Sequence, residues 1–387
     1  YQLNLLTDIC RKQYGRNGFL EVLILVQKVI GETKKAFLTG NEAIAWGCLA
    51  AEADMMFGYP ITPQNEIMHY WTRLAPKYGK EFLQTEDEIS AGFTVCGAIQ
   101  SGIKAFTATA GPGNVLMQEP FGMAEGMRLP FFAIIQQRGG PSSGTVIYSQ
   151  QEVSLTCYGG NGEGHRIVYS TATHQELYDY TIKGFNTAWK YRFPTYLLGD
   201  GYQAKMREPL EMYEPSERGI DIIKPYPLLG LEGHIGTDRE PQHLRNIYSM
   251  EEELYDVVLK NDADYNSVRQ EITEYSEFNC ENAEVIIISH GVVSRAAEDA
   301  VKVLRAQGIK AGSFRPITLR PFPREQLLAV LEKSNAKKLL ITESALGQLE
   351  RIVKYEIYGQ TLPIETLFMP GVGIIDYDII QKIKSII

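Results

Sequence analysis

Three side chains of complementary chemistry follow predicted strands in the first half of this chain. Thr62 lies in the sequence YPITP at residues 59–63, Glu88 comes soon after a strand that ends at Gln84, and Arg138 follows an apolar strand. In an open α/β sheet, ligands bind at the edge where the carboxyl ends of the parallel strands meet. A hydroxyl, a carboxylate and a guanidinium gathered there suit an anionic carbonyl substrate beside an organic cofactor.

Each of these side chains also has a purely structural interpretation. A threonine before Pro63 is a good helix N-cap, because proline is favoured at the first helical position. Thr85 and Glu88 have the spacing of a capping box, in which Glu88 bonds back to the Thr85 amide. Arg138 enters a glycine-rich loop and is equally well explained as a surface arginine. The residue types alone leave both interpretations open.

A further strand-to-helix turn has the sequence TAGPG at residues 109–113. Its glycines would let the backbone approach a cofactor closely. The turn lacks the Gly-x-Gly-x-x-Gly spacing of a dinucleotide site and the lysine of a Walker loop. It is therefore a poor candidate for a phosphate-binding loop.

Alternating apolar strands and helical patterns predict that these turns belong to a parallel, doubly wound α/β sheet. The predicted strands of the first half are Lys35–Leu38, Met55–Gly58, Phe82–Gln84, Ile103–Thr107, Phe131–Ile135, Arg166–Tyr169 and Pro194–Leu198, with helices over Asn41–Ala53 and from Thr62. A second α/β series has strands at Glu284–Ser289, Lys310–Phe314, Lys338–Thr342 and Ile364–Phe368, and helices near Ser294–Gln307, Pro323–Glu332, Leu346–Ile357 and Tyr377–Ile386.

The length of 387 residues exceeds what one hydrophobic core usually holds, so two domains are expected. The strand-helix pattern breaks down over residues 207–265, where we predict one helix at Met250–Leu259. A connection of this length is unusual inside one compact domain. We therefore expect an amino-terminal extension at 1–34 that packs on the body or on a partner, a first α/β domain at 35–215, a linker region at 216–282 and a second α/β domain at 283–387.

Composition excludes several classes of function. The net charge of −9, without a basic run, argues against nucleic-acid binding. The apolar run Phe19–Val26 contains Glu21, is too short to span a bilayer and lacks a signal cleavage site. The five cysteines have no Cys-x-x-Cys spacing, and the six histidines form no ligand cluster, although His165 and His234 lie in glycine-bearing loops that could reach the site. We expect free thiols in a reducing cytoplasm and no metal site on this chain.

Taken together, the motifs resemble the alpha chain of 2-oxoacid:ferredoxin oxidoreductases. The resemblance covers nearly the whole chain after the first 34 residues, and the joint occurrence of its motifs is specific. It is carried by AFLTGNEA (36–43), YPITP (59–63), TAGPG (109–113), QRGGP (137–141), YGG (158–160), LGDG (198–201), FRPITLRPFP (314–323) and GQL (347–349).

The resemblance implies that the first domain binds the pyrimidine of thiamine diphosphate and that the second is similar to the carboxyl-terminal domain of transketolase. Glu88 would hydrogen-bond the aminopyrimidine ring, and Thr62 and Arg138 would hold the carboxylate that leaves as CO₂. Coenzyme A would take the acyl group and ferredoxin the electrons. The further cofactor contacts would come from the two turns, at Tyr59, Pro60, Ile61, Gly111, Pro112 and Gly113.

The diphosphate half of such a site is missing from the sequence. Thiamine enzymes hold Mg²⁺ and diphosphate through Gly-Asp-Gly and a nearby asparagine. Here Gly199–Gly201 is followed only by the distant Asn246, so we interpret it as a strand-end turn. The resemblance therefore implies a beta chain that brings the diphosphate-binding half, Mg²⁺ and at least one [4Fe–4S] cluster. The assembly would be a dimer of hetero-oligomers, with or without gamma and delta subunits.

The substrate is open at this level. The loop after Gly140 reads PSSGTVIYSQQ where many relatives carry PTKxEQ, and this segment is expected to contact the far end of the substrate. The sequence TPQNE resembles branched-chain 2-oxoacid enzymes and QRGGPS resembles 2-oxoglutarate enzymes, so 2-oxoglutarate is expected ahead of pyruvate or branched-chain acids. Two alternatives stand beside this interpretation: a thiamine-dependent dehydrogenase component that passes its acyl group to lipoamide, and a non-catalytic scaffolding subunit.

Overall fold

The computed structural model describes residues 30–229 and 244–387. Cys10, the run Phe19–Val26, His234 and His243 lie outside these described residues. No helix in the described ranges is long and apolar enough to cross a bilayer. Residues 216–229 and 244–282 of the expected linker are described, and they contain regular structure.

The described strands form one sheet of seven, one of five and one of two. They are β1 (Lys34–Thr39), β2 (Met55–Gly58), β3 (Glu81–Gln84), β4 (Ala105–Thr109), β5 (Phe132–Gln137), β6 (Ile167–Ser170), β7 (Thr195–Asp200), β8 (Arg207–Met212), β9 (Tyr275–Phe278), β10 (Val285–Ile288), β11 (Ala311–Pro316), β12 (Thr318–Arg320), β13 (Lys338–Glu343) and β14 (Ile364–Phe368).

Helices cover both sheets. They are α1 (Gly40–Ala50), α2 (Asn65–Leu74), α3 (Glu88–Gln100), α4 (Pro112–Leu116), α5 (Gln118–Gly126), α6 (Val153–Tyr158), α7 (His174–Tyr191), α8 (Gly201–Lys205), α9 (Glu251–Ile272), α10 (Val293–Ala306), α11 (Arg324–Lys333), α12 (Gln348–Glu356) and α13 (Asp376–Ile386), with 3₁₀ turns at Ala75–Tyr78 and Pro215–Arg218.

The seven-stranded sheet has the order β12-β6-β7-β5-β4-β2-β3, and every pair from β6 to β3 is parallel. Its central strands are buried on both faces, as their continuous apolar sequences require. The chain moves from β2 to β3 on one side and then returns to β4 on the other side of β2. The predicted doubly wound α/β fold is confirmed, and its switch point lies between β2 and β4.

The five-stranded sheet has the order β14-β13-β10-β11-β9, with β9 antiparallel and the other strands parallel. Its switch point lies between β13 and β10. After β11 the chain crosses back, and β12 pairs antiparallel with β6 of the first sheet. The second half of the chain therefore contributes one strand to the first sheet.

Several elements differ from the sequence-based expectation. β1 pairs with β8 in a separate antiparallel ribbon and is not part of the parallel series. β8, β9 and β12 were not predicted, because they are short antiparallel strands whose polar sequences lack a buried-strand pattern. α9 continues to Ile272, well beyond Leu259, and buries Tyr265 and Ile272 along an otherwise exposed helix. The division of the chain at residues 215 and 283 stays a prediction.

Close packing of α7 on β5 gives a test of the core. A Cβ atom on Gly184 would overlap the ring of Phe132, which also packs on Phe185 with ring centroids 4.4 Å apart. We expect Gly184→Ala to lower the free energy of unfolding by about 1–3 kcal/mol, because the ring has no room to move. Gly122→Ala is the control, since a Cβ on helix α5 there meets no atom within 4 Å and should stabilise by about 0.5–1 kcal/mol. Chemical denaturation that ranked the two variants equally would contradict this packing.

Candidate active site

Four loops meet at the carboxyl edge of the first sheet, around its switch point. Residues 59–63 follow β2, residues 85–87 follow β3, residues 110–111 follow β4, and Arg138 follows β5. The structure therefore brings Thr62, Glu88 and Arg138 to one edge. Nη1 of Arg138 donates a hydrogen bond of 2.9 Å to the carbonyl oxygen of Thr62.

Two glycines of the TAGPG turn lie against the two charged side chains. A Cβ atom on Gly111 would stand 2.5 Å from Nε of Arg138, and one on Gly113 would stand 2.6 Å from Oε1 of Glu88. Gly111 also has a φ of 50°, a conformation that favours glycine. The backbone of this turn thus packs against the guanidinium of Arg138 at Gly111 and against the carboxyl group of Glu88 at Gly113.

Glu88 is the first residue of α3, and it is not part of a capping box. The N-cap is Asp87, whose carboxylate accepts from the Ser90 amide at 2.7 Å. The hydroxyl of Thr85 donates instead to the carbonyl of Asp87. The capping-box interpretation was wrong because α3 begins two residues later than expected, with Asp87 and not Thr85 as its N-cap.

The Glu88 side chain is 5% exposed and lies beside the turn after β4. Burial raises the pKa of Glu88, the neighbouring Asp87 adds to the increase, and Arg138 opposes it. Close to the same glycine, Oγ1 of Thr109 is buried with no hydrogen-bond partner among the described residues. A buried carboxyl group with a raised pKa, such as that of Glu88, is suited to share a proton with a ligand atom.

Thr62 is likewise not a helix cap. α2 begins at Asn65 with Gln64 as its N-cap, and the amides of Gln64 and Asn65 both bond to the carbonyl of Ile61. The carbonyl of Thr62 is used by Arg138, while its half-buried hydroxyl makes no hydrogen bond with any described residue. That hydroxyl is available to a ligand.

Asn41 of α1 holds the YPITP turn and was missed by sequence reasoning. Its Nδ2 donates to the carbonyl of Pro63 at 2.8 Å, and its Oδ1 accepts from Gln136 of β5 at 2.9 Å. Gln64 supports the same turn by donating to the carbonyl of Tyr59. Tyr59 and Pro60 are exposed at the mouth of the cleft, and Ile61 is half-buried.

Arg138 is buried in the cleft wall, with 7% of its surface exposed. The surface interpretation is therefore wrong. Its Nε is buried and has no hydrogen-bond partner among the described residues. A guanidinium with unused donors beside a free hydroxyl is suited to a carboxylate.

Glu152 is the second important residue that sequence reasoning missed. Its Oε1 accepts from the Gly111 amide at 2.7 Å and from Nδ2 of Asn114 at 3.1 Å, and its Oε2 accepts from the Arg138 amide at 2.8 Å. Burial raises the pKa of Glu152 to about 7 against these hydrogen bonds. The available signal was a lone glutamate directly before the apolar start of α6.

The remaining candidates lie outside this cleft. Asp200 ends β7 and caps α8 by accepting from the Gln203 amide at 2.9 Å, so Gly199–Gly201 is a strand-end turn as predicted. His165 stacks on Tyr265 of α9 at 4.7 Å. Within residues 30–229 and 244–387, no group of three His, Cys, Asp or Glu side chains could hold a metal ion. The four described cysteines are buried and unpaired.

Two protein families match successive parts of the chain. Residues 46–277 match the thiamine diphosphate-binding domain of pyruvate flavodoxin/ferredoxin oxidoreductases. Residues 283–376 match core domain II of pyruvate:ferredoxin oxidoreductase. The first match alone spans more than half of the 387 residues.

Among curated proteins, the 2-oxoglutarate synthase subunit KorA of Methanocaldococcus jannaschii is 34% identical over 83% of this chain and 92% of its own length. The ketoisovalerate oxidoreductase subunit VorB of Methanothermobacter marburgensis is 33% identical over 90% of this chain and 96% of its own. Both comparisons extend over nearly the whole relative.

Among solved structures, the 2-oxoglutarate:ferredoxin oxidoreductase of Magnetococcus marinus, with 2-oxoglutarate, coenzyme A and succinyl-CoA bound, has a TM-score of 0.79 at 25% identity. The alignment covers 99% of this chain and 74% of the Magnetococcus marinus chain. A split-gene transketolase shares the fold at 14% identity, with a TM-score of 0.57 over 90% of this chain and 98% of its own.

The buried cap at Asp200 predicts a pH dependence of stability. Burial raises the pKa of Asp200 to about 6 from 3.8. Because the pKa of Asp200 is higher in the folded protein than in the unfolded chain, its contribution to the free energy of unfolding is complete below the unfolded pKa of about 3.8. The contribution is lost as the pH rises through about 6. The substitution Asp200→Asn would keep the cap without the charge, so wild type should lose about 2–3 kcal/mol relative to this variant between pH 4 and pH 7.

Denaturant titrations across that range measure the difference. Asp221→Asn, at an exposed carboxylate, is the control for removing one negative charge. A difference between wild type and Asp200→Asn that stays constant with pH would contradict the buried ionisation of Asp200.

Proposed function

The chain belongs to the pyruvate flavodoxin/ferredoxin oxidoreductase family, and on that premise we propose that its carboxyl-edge cleft binds the pyrimidine of thiamine diphosphate and the carboxylate of a 2-oxoacid. The chain is an enzyme subunit of the 2-oxoacid:ferredoxin oxidoreductase type. It corresponds to the alpha subunit, which acts with other chains. The catalytic roles of Glu88, Thr62 and Arg138 are part of the proposal.

One observation carries this assignment: the buried carboxyl of Glu88 lies against Gly113 at the switch point of a thiamine diphosphate-binding domain. The residues present fit the pyrimidine end of the cofactor. A raised pKa suits a carboxyl group that shares a proton with a ring nitrogen. The glycine turn lets the backbone pack directly on the side chains of Glu88 and Arg138, where a Cβ atom would overlap them. We assign the remaining cofactor contacts to Tyr59, Pro60, Ile61, Gly111 and Pro112.

Bound thiamine diphosphate supplies the nucleophilic carbon and the electron sink for decarboxylation. Glu88 would hydrogen-bond the ring through its carboxyl group, and its burial would keep a proton exchanged with the ring inside the cleft. Arg138 and Thr62 bind and orient the carboxylate of the substrate through the guanidinium donors and the hydroxyl. Asn41 and Glu152 keep these groups in place through the backbone.

The diphosphate half of the site is assigned to a partner chain. The described residues contain no cluster of metal ligands, and the turn at Gly199–Gly201 is occupied by its own helix cap. Apolar side chains beside the cleft are exposed, which supports a protein contact there. They are Leu83, Ile89, Phe93, Val115 and Leu116.

We propose a beta subunit with the diphosphate-binding half, Mg²⁺ and a [4Fe–4S] cluster, coenzyme A as acyl acceptor and ferredoxin as electron acceptor. Gamma or delta subunits and pairing of such hetero-oligomers into a dimer belong to the same proposal. Four buried, unpaired thiols are consistent with a reducing cytoplasm.

For the substrate we propose 2-oxoglutarate first, ahead of branched-chain 2-oxoacids and pyruvate. Relatives of both of the first two kinds match the chain at nearly equal identity. The choice is assigned to residues 141–147, which follow Arg138 and are exposed. By contrast, Ser149 and Gln150 are fully buried, so the expected contact with the far end of the substrate is limited to the first part of this loop.

Replacing Glu88 by glutamine tests the assignment of the cofactor-binding carboxyl. We expect turnover of the reconstituted complex to fall by about 10²-fold or more, because an amide cannot exchange the proton. Glu86→Gln is the matched control, since Glu86 is exposed two residues away and should keep near-normal turnover. Near-normal turnover of Glu88→Gln, measured with saturating thiamine diphosphate, would reject the role of Glu88.

Copurification tests the assembly and the substrate together. We expect a brown complex with partner chains that reduces viologen in a CoA-dependent reaction, fastest with 2-oxoglutarate among 2-oxoglutarate, pyruvate and 2-oxoisovalerate. Transfer of acyl groups to lipoamide by a colourless complex would indicate a dehydrogenase component instead. A colourless protein without partners or turnover would indicate the scaffolding alternative.

A further inference from the structure

Residues Ser149–Glu152, here called the linking segment, connect the cleft of the first domain to the second domain. The segment lies at the end of the loop that follows Arg138. Its second residue bonds to the second sheet, and its last residue bonds to the active-site turns. These hydrogen bonds do not involve the side chains of Thr62, Glu88 or Arg138.

Gln150 fills the crevice at the switch point of the second sheet. Its Nε2 donates to the carbonyl of His290 at 2.8 Å, beyond the end of β10, and its Oε1 accepts from the Ser344 amide at 3.0 Å, beyond the end of β13. Its own amide donates to the carbonyl of Ser344 at 3.0 Å. In open α/β sheets this crevice commonly receives a ligand. Here a fully buried side chain of the same polypeptide occupies it.

The rest of the linking segment is held equally closely. The hydroxyl of Ser149 donates to the carbonyl of Ser344 at 3.2 Å. Gln348, at the start of α12, donates from Nε2 to the carbonyl of Gln151 and accepts from the amide of Ser154 through Oε1, both at 2.8 Å. The position of the segment is therefore set by the second domain.

Glu152 is the only member of the linking segment whose side chain bonds to residues after both β4 and β5 in the described ranges, since Gln151 accepts only from the Gly140 amide after β5. Its two carboxyl oxygens accept separate hydrogen bonds from the backbone amides of Gly111 and Arg138. Loss of either bond would leave the buried amide of Arg138 or the half-buried amide of Gly111 without its partner, which favours movement of the backbone. The guanidinium of Arg138 would move with its backbone.

We infer that Glu152 is a positioning residue for the substrate-binding arginine, and that the second domain fixes Glu152 in place through Gln150. This inference rests on the proposed function for the role of Arg138. Glu88 lies on α3 and makes no hydrogen bond to the linking segment among the described residues. Disturbing the segment should therefore weaken binding of the 2-oxoacid and leave the contact between Glu88 and the pyrimidine unchanged.

The test uses the reconstituted complex with Gln150→Ala, Gln150→Leu and Glu152→Gln. Leucine keeps the volume of glutamine but removes its hydrogen bonds to Ser344 and His290. Each variant should raise KM for the 2-oxoacid about tenfold with kcat within about twofold, because binding of the carboxylate is lost uniformly.

Glu176→Gln is the matched control. Glu176 bonds Arg315 across the same domain interface, with Oε1 2.8 Å from Nη1, but does not touch the linking segment. The substitution Glu176→Gln should weaken the domain interface without raising KM for the 2-oxoacid. An equal KM increase in this control would overturn the inference, since any loosening of the interface would then have the same effect.

A double variant tests whether Gln150 acts through Glu152. Gln150→Leu combined with Glu152→Gln should raise KM no further than Glu152→Gln alone, because the two residues belong to one chain of contacts. Additive effects would overturn the inference. If Glu152→Gln does not fold, unchanged KM in both Gln150 variants is sufficient to reject it.

Hydrogen exchange gives a readout that does not depend on turnover. In the intact complex, the amides of Gly111 and Arg138 should exchange at least about tenfold faster in the Gln150 variants than in wild type or Glu176→Gln. Unchanged exchange would overturn the inference. A wild-type complex that turns over no 2-oxoacid would instead reject the proposed function, while the exchange rates would still report on the positioning role.

Discussion

The active edge of this protein depends on one buried carboxylate and the backbone amides that it binds. The amides of Gly111 and Arg138 come just after the ends of β4 and β5. They lie outside the strands and need other hydrogen-bond partners. Glu152 supplies both, through one oxygen to Gly111 and the other to Arg138. Burial of this carboxyl is unfavourable for its charge, which is why its pKa rises to about 7. The relative positions of two active-site loops are the result.

The same constraint explains the arrangement of the two domains. The second domain does not present an open crevice at its own switch point, because Gln150 from the first domain fills it. β12 adds a strand of the second half to the first sheet, and Arg315 bonds Glu176 across the interface. The second domain thus supports a cleft whose candidate residues Thr62, Glu88 and Arg138 lie at the edge of the first sheet.

The cleft itself is, on the proposed function, half of a reaction site. A carboxyl group with a raised pKa and a guanidinium with an unpaired Nε pack against two glycines of the same turn, Gly113 and Gly111. These groups suit a heterocycle and a carboxylate, respectively. No group of three His, Cys, Asp or Glu side chains among the described residues could hold the metal ion that accompanies a diphosphate, and apolar side chains are exposed beside the cleft. Both observations support the proposed completion by another chain.

Local patterns in the sequence were enough for the two parallel α/β series and for placing Thr62, Glu88 and Arg138 at strand ends, since strand periodicity and connection order determine which ends meet. The same local patterns were misleading for Thr62 and Thr85, whose expected caps are replaced by bonds to Arg138 and to Asp87. The antiparallel strands β8, β9 and β12 carry little hydrophobic signal and needed their partners to be recognised.

What the sequence determined by itself was therefore the class of fold, the family motifs and the residue types at the cleft. Only the tertiary structure decided the contacts of Asn41, Gln150 and Glu152. Gln150 binds groups 140 and 194 residues away, and Glu152 binds an amide 41 residues away. A buried polar side chain takes whichever partner the packed chain brings within about 3 Å, and no local periodicity encodes that choice.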